Sequence, residues 1–267
     1  MSVKLTAIFD FLTRVANSHP YTWYLAWQAV WHLRFLLPHE QNFNALAHFV
    51  AIKPDGMFLD IGANNGISAL SLRHFSAQYR ILSIEPNPLL EQYLKKIKAK
   101  DERFDYLISG AGATPGRARF FVPTYGAVVL DTATSTDSDL VFKAVKNWFG
   151  PAVATKTKIS FFESPIVRLD DLELTPAIVK IDAEGHDYDA LVGLSKTIDA
   201  CRPVIIIEME WTPNEKIQAF LADRRYQQLS YSAADDRFHV SETFDPNFGH
   251  NAFFVPTEMT SRLPGLS

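Results

Sequence analysis

The chain has 267 residues, 47% hydrophobic and 21% charged, a balance that excludes disordered, collagen-like and disulfide-scaffold proteins and suits one α/β domain with an appendage. Its 26 Lys and Arg against 30 Asp and Glu leave a formal charge of −4, so no basic excess exists to neutralise a nucleic-acid backbone. Cys201 is the single cysteine, which rules out an internal disulfide or a two-cysteine metal site and fits a reducing, cytoplasmic setting.

The first segment, MSVKLTAIFDF, is interrupted by Asp10 and followed by Arg14, and carries no small-residue cleavage pattern, so no secretory leader is expected. The most apolar stretch, Tyr21 to Leu37, contains Gln28, His32 and Arg34 and is too short for a membrane span. Tyr24, Trp27 and Trp31, with Leu25 and Phe35, recur at steps of three and four, and Trp23, Trp27 and Trp31 at steps of four. This aromatic face needs a cover: the protein's own body, a second copy in a homodimer, or a membrane-surface or acceptor contact. Residues 1–50 therefore read as an N-terminal helical extension.

Beyond Pro54, short apolar strands alternate with helical stretches, the pattern of crossover units on a parallel sheet. Five strands are predicted at Met57–Ile61, Arg80–Ile84, Asp105–Ser109, Ile178–Ile181 and Val204–Ile207. Helices are predicted at Ile67–Phe75, Pro88–Lys98, Tyr188–Leu194 and Glu215–Arg224, with prolines suited to first-turn positions. Tyr226–Tyr231 and Asn251–Pro256, with no convincing helix between them, predict an antiparallel pair. Between the third and fourth strands the alternation fails. Residues 123–158 read as an insertion, a lid or a surface excursion, with a helix at Leu140–Phe149.

The run Phe58-Leu-Asp-Ile-Gly-Ala-Asn-Asn-Gly-Ile-Ser ends a strand at Asp60 and turns through Gly62 and Gly66 into a helix, the form of a cofactor turn. A dinucleotide turn needs G-x-G-x-x-G, and Asn64 stands where its second glycine would be, so NAD is disfavoured. Ile84-Glu85-Pro86-Asn87-Pro88 ends the second strand with a carboxylate about 20 residues past the turn, where it can accept ribose hydroxyls. Together these point to an adenosine without a pyrophosphate.

FLDIGANNG, ILSIEPNP, GATPGRARFFV, VRLDDL and VKIDAEG, in that order between Asp55 and Pro256, resemble the FkbM family of S-adenosylmethionine-dependent methyltransferases. The resemblance implies a class I methyltransferase (Rossmann-like) α/β fold with a seven-stranded, mostly parallel sheet and helices on both faces, covering residues 51–267. It further implies S-adenosylmethionine as methyl donor and O-methylation of a sugar, glycan or natural-product hydroxyl. The donor residues are then Asp60, Gly62, Asn64, Asn65, Gly66, Glu85, Pro86, Asn87, Asp182 and, after the third strand, Ser109 and Gly110. The turn Gly112–Gly116 and the pair His186-Asp187 depart from the family pattern.

Methyl transfer to a hydroxyl needs alignment and a group to take the proton. In an open parallel sheet the ligand crevice lies at the carboxyl ends of the strands, which selects Asp182 and Glu184 after the fourth strand and Glu208 and Glu210 after the fifth. Asp182 is the first candidate, against the alternative that it caps the next helix; His186 has a suitable intrinsic pKa. Glu208 and Glu210 lie on opposite faces, and Glu208 is the one selected. No HxxxH or clustered-carboxylate spacing appears, so no metal site is expected. The alternative from another class is a non-catalytic S-adenosylmethionine-binding or scaffold protein that uses the aromatic helix as its partner surface.

Overall fold

The structure, a computed structural model, describes residues 18–33, 38–209, 214–241 and 251–266. The described residues fall into two compact units, those within Met1–Leu36 and Ala118–Glu163, and those within Leu37–Arg117 and Ser164–Ser267. Phe35 and Glu210 lie outside the described residues.

The larger unit is built on one sheet. Its strands are β1 (Met57–Ile61), β2 (Arg80–Glu85), β3 (Phe104–Ile108), β8 (Ile178–Ile181), β9 (Val204–Glu208), β10 (Tyr226–Ser232), β11 (Arg237–Val240) and β12 (Asn251–Pro256), while the short β4 (Gly110–Ala111) lies outside it and pairs parallel with Ile166 and Val167. The main sheet has the order β11-β10-β12-β9-β8-β1-β2-β3. The five strands from β9 to β3 are parallel, as expected for strands separated by helical crossovers. On the other side β12 runs antiparallel to β9 and to β10.

The sheet has eight strands where seven were expected. The eighth, β11, pairs antiparallel with β10 after the turn 233–236, in which Asp236 is left-handed at φ 56°. It is short and buries only Phe238, so it has little alternation by which a sequence could announce it.

The two faces of the sheet are separately cored. Phe58, Ile178, Ile206 and Phe253 pack with Phe43, Leu46, Phe49, Leu72 and Leu94 on one face. Leu59, Ile61, Val179, Ile181, Ile205 and Ile207 pack with Leu191, Ile198, Ile217 and Leu221 on the other. Phe43, Leu46 and Phe49 come from the 3-10 turn Gln41–Ala45 and the helix Leu46–Ile52, so this part of the N-terminal stretch belongs to the sheet's own core.

In the smaller unit, the helix Pro20–Leu33 packs Trp23 against Val128, Leu130, Ala133, Val145, Val153 and Ala154, with Trp27 at the border. Trp23 and Trp31 are buried, whereas Tyr24 and Leu25 are exposed, so the covered line follows the four-residue step. The unit also holds residues 118–125 of β5 (Gly116–Tyr125), β6 (Val128–Val129), residues 158–163 of β7 (Lys158–Val167) and the helix Ser138–Phe149. Asp137 caps that helix, its side chain accepting the N–H groups of Asp139 and Leu140. Among the described residues no helix is long and apolar enough to cross a membrane.

Candidate active site

Along one face of the sheet the side chains change from apolar to ionisable as the strands approach their carboxyl ends. The register sets Phe58 beside Ile178, then Asp60 beside Lys180 and Ser83. One pleat further on come Asp182 and Glu208, with Glu208 opposite Asn251. The alternate face stays apolar to the same level, through Ile61, Ile181 and Ile207. Alternation with period two thus delivers the charges to one side of the carboxyl edge.

At the β1 and β2 ends, the turn 62–66 and Glu85 lock together. Glu85 is buried; its Oε2 accepts the Asn64 N–H and its Oε1 the Asn87 N–H, both at 2.8 Å. The N–H groups of Gly62 and Ala63 donate to Ile84 O at 2.9 and 3.1 Å. Asn64 is left-handed at φ 50°, and its side chain accepts the Asn65 N–H at 2.7 Å. Asn65 in turn accepts the Ile67 N–H at 3.2 Å, opening the helix Ile67–Leu72. Gly62 has φ +74°, and a Cβ there would lie 1.7 Å from the carbonyl oxygen of Asp182. This glycine is therefore required by the close approach of the β8 end. Pro86 follows Glu85, and Asn87 starts the next turn with its Oδ1 accepting the Leu89 N–H at 3.0 Å.

Ser109 and Gly110 lie at the end of β3. The Ser109 hydroxyl is bonded to the carbonyls of Gly110 and Pro165, both at 2.9 Å, which ties β3 to the end of β7.

At the β8 and β9 ends, Lys180 is buried and donates to Asp182 Oδ2 at 2.9 Å. Burial opposes the lysine's charge, but Asp182, Asp60 and Glu208 together push its pKa up. Burial likewise opposes the charge on Asp182, yet Lys180 and a hydrogen bond with Glu208 hold its carboxyl below the ordinary value. Glu208 goes the other way: burial and the neighbouring Asp182 carry it up to about 10, so it is a neutral acid at neutral pH. Asp60, fully buried and bonded to the Ser83 hydroxyl at 3.2 Å, is raised to about 6, chiefly by burial.

The turn between β8 and the next helix is closed by a different acid, and no side chain caps that helix. Asp187 Oδ1 accepts the Ala183 N–H at 2.7 Å and closes the turn, leaving Asp182 directed to Lys180. Glu184 occupies that turn in the left-handed region at φ 47° and acts on Glu208 through its charge. His186 stands at the head of the helix Asp187–Gly193, with Nδ1 3.5 Å from Asp189 Oδ2. Among the described residues no group of three or more His, Cys, Asp and Glu is arranged to hold a metal ion.

Three participants were absent from the sequence reading. Lys180 lay inside the motif VKIDAEG without a role. His39 is buried beside Lys180 and Asp182, and burial and Lys180 drop its pKa to about 3, so it is neutral. Ser71 Oγ accepts the His39 N–H at 3.1 Å and lies 2.7 Å from its Nδ1. Glu40 accepts a hydrogen bond from Asn251 Nδ2 at 2.7 Å, beside Glu208 in the register. A usable signal did exist: along the step-of-two series 58-60, 178-180-182 and 206-208, apolar Phe58, Ile178 and Ile206 give way to Asp60, Lys180, Asp182 and Glu208 on one face only.

A parallel sheet with a glycine turn after β1 and a buried carboxylate at the end of β2, extended by an antiparallel edge, defines the class I methyltransferase fold. The Methyltransferase FkbM domain family matches residues 60–238, two thirds of the chain, and the chain belongs to that family. The matched region is that family's methyltransferase domain, which takes S-adenosylmethionine as its cofactor. Among solved structures, similarity is found to methyltransferase FkbM from Methylobacillus flagellatus KT, with 17% identity, 75% of this chain and 43% of that chain covered, and a TM-score of 0.49. The chain thus spans less than half the length of that protein. The precorrin-6y C5,15-methyltransferase of Geobacter metallireducens GS-15 aligns at 12% identity over 79% of this chain and 83% of its own, with a TM-score of 0.40. The S-adenosylhomocysteine-bound methyltransferase PaMTH1 of Podospora anserina aligns at 14% identity over 80% and 77%, with a TM-score of 0.38. No curated protein matches the sequence significantly.

The residues present fit the cofactor. Two buried polar atoms next to the turn, Asp60 Oδ1 and Asn87 Nδ2, have no partner within the described protein. One is an acceptor and the other a donor, and a ligand rich in hydroxyls and amines can satisfy both.

Proposed function

We propose that the protein methylates an oxygen atom, transferring the methyl group to a hydroxyl of a sugar, glycan or natural-product acceptor. The observation that carries this reading is Asp182: a partly solvent-facing carboxylate held by Lys180 at the carboxyl edge of a parallel sheet, where such sheets bind their ligands. When bound, S-adenosylmethionine supplies an electrophilic methyl carbon whose bond to sulfur breaks with the electron pair remaining on sulfur. The turn 62–66, with Gly62, Asn64, Asn65 and Gly66, would border the adenosyl group. Each carboxylate oxygen can accept two hydrogen bonds, so Glu85 can hold ribose hydroxyls while it braces both loops. Pro86 and Asn87 would flank it, and Ser109 and Gly110 would stand behind the base.

Asp182 would accept the proton that the acceptor hydroxyl loses as its oxygen bonds to the methyl carbon, and pass it to water. A positioned general base contributes typically about 10²–10⁴-fold. Glu208, a neutral acid, would donate a hydrogen bond beside it. Glu184 and His186, in the turn, would meet the acceptor's outer edge. The single cysteine suits a cytoplasmic setting.

The reading is tested by screening glycans, nucleotide sugars and small polyols for conversion of S-adenosylmethionine to S-adenosylhomocysteine, with the methylated atom located by NMR. Methyl transfer to nitrogen or carbon would overturn it. Tight S-adenosylhomocysteine binding without turnover on any acceptor class would favour the non-catalytic alternative.

A further inference from the structure

Lys180 is surrounded by acids. Asp60 faces it from β1, Asp182 from the end of its own strand and Glu208 from β9; His39 faces it from the segment before the 3-10 turn. Glu184 adds charge near Glu208 from the turn after β8. His39 is neutral, so one buried cation meets three carboxyl groups. Two part-buried carboxylates in mutual contact cannot both be ionised at low cost, and a hydrogen bond between them requires one proton.

The geometry is asymmetric. The ammonium of Lys180 touches Asp182 at 2.9 Å, while Glu208 stands one pleat beyond Ile206, the residue that Lys180 faces on β9, and acts on the cation through its charge. The carboxyl in contact with the cation is stabilised as the anion, and the more distant one keeps the proton. Register reinforces this, because Lys180 pairs with Asp60 on β1 and with the apolar Ile206 on β9. Glu208 therefore has no cation directly beside it in its own row, where its antiparallel partner is Asn251.

We propose that Lys180 is a positioning residue that confines the proton of the Asp182–Glu208 pair to Glu208, leaving Asp182 as the carboxylate and Glu208 as the neutral donor that braces it. The value of this arrangement to catalysis rests on the methyl-transfer role given to Asp182 above. The placement of the proton does not depend on that role. Without the lysine the pair would share its proton, and a fraction of Asp182 would be unable to accept another.

The test uses the full chain with carboxyl-carbon ¹³C-labelled Asp and Glu, followed by NMR against pH, with the Asp182 and Glu208 signals assigned from Asp182→Asn and Glu208→Gln. The expected result is a neutral Glu208 and an ionised Asp182 at neutral pH in the unsubstituted protein. The reverse assignment, or two ionised groups, would overturn the proposal without any variant having to fold. In Lys180→Met the Asp182 midpoint should rise by roughly 1–3 pH units, and Lys180→Arg should restore it. S-adenosylhomocysteine titration checks that both variants keep an intact donor site. An unmoved Asp182 midpoint in a Lys180→Met protein that binds S-adenosylhomocysteine normally would reduce Lys180 to a structural residue. If the proton sits on Glu208 but Asp182→Asn leaves methyl transfer unimpaired, the base reading fails while the proton placement stands.

Discussion

Two acidic stations stand at the carboxyl edge of one sheet, and they are held in opposite ways. Glu85 is met by backbone: the N–H groups of Asn64 and Asn87 clasp its two oxygens at 2.8 Å. Asp182 and Glu208 are met by side chains, namely Lys180 and each other. A carboxylate clasped by backbone amides is fixed in place by the turns that supply them, which suits a group that must orient a cofactor. A carboxylate held by a lysine and a second acid has a proton to distribute, which suits a group that must move one. The sheet thus separates a backbone-clasped acid from a titrating pair by a few strands.

The contrast predicts that the stations fail differently. The largest effect is expected from Asp182→Asn, which keeps shape but cannot take a proton: kcat should fall roughly 10²–10⁴-fold with donor affinity little changed. Single-turnover methyl transfer and donor titration on one preparation check this. A rise in donor Kd with an unchanged rate would give Asp182 the donor-binding role proposed for Glu85. Next comes Gly62→Ala, at the place where the stations touch. Its Cβ would sit 1.7 Å from the Asp182 carbonyl at a positive φ, so overpacking and backbone strain together should cost about 2–5 kcal/mol in denaturant unfolding.

Glu208→Gln sharpens the comparison through pH. The folded protein keeps the Glu208 proton up to about 10, whereas the unfolded chain gives it up in the ordinary carboxylate range. Native protein therefore binds more protons across that window, and this contribution to stability is lost as pH rises through it. Between neutral pH and the folded value, the unsubstituted chain should lose stability relative to Glu208→Gln by about 1.4 kcal/mol per pH unit, read from urea midpoints. Parallel pH profiles would show that Glu208 is ionised. The smallest effect is expected from Glu85→Ala, which removes charged hydrogen bonds worth roughly 1.5–3 kcal/mol and should weaken S-adenosylhomocysteine binding about ten- to a hundredfold. Calorimetric titration checks it.

The arrangement around Glu85 was legible because it is local. Asp60, Gly62, Gly66 and Glu85 follow from two strand ends and the turn between them, within about one crossover unit, and the apolar alternation of β1 and β2 fixes which residues reach the edge. The five parallel strands and the antiparallel partners β10 and β12 were legible for the same reason, since period and turn chemistry are short-range. The aromatic helix announced a buried face, but its cover in residues 128–154 depends on packing across about a hundred residues of chain.

The titrating station was decided by tertiary structure. In sequence, Lys180 is a lone cation in the run Ile178–Ile181, and nothing near it says that three carboxyls will surround it. Its neighbours arrive because β1 and β9 flank β8 in a fixed register, and because His39 and Glu40 fold back onto the same face from before the first strand. Glu40 and Asn251, bonded at 2.7 Å, are 211 residues apart. Residue types and strand ends are written along the chain. The state of a proton is set by distance and burial among groups that only the packed sheet brings together.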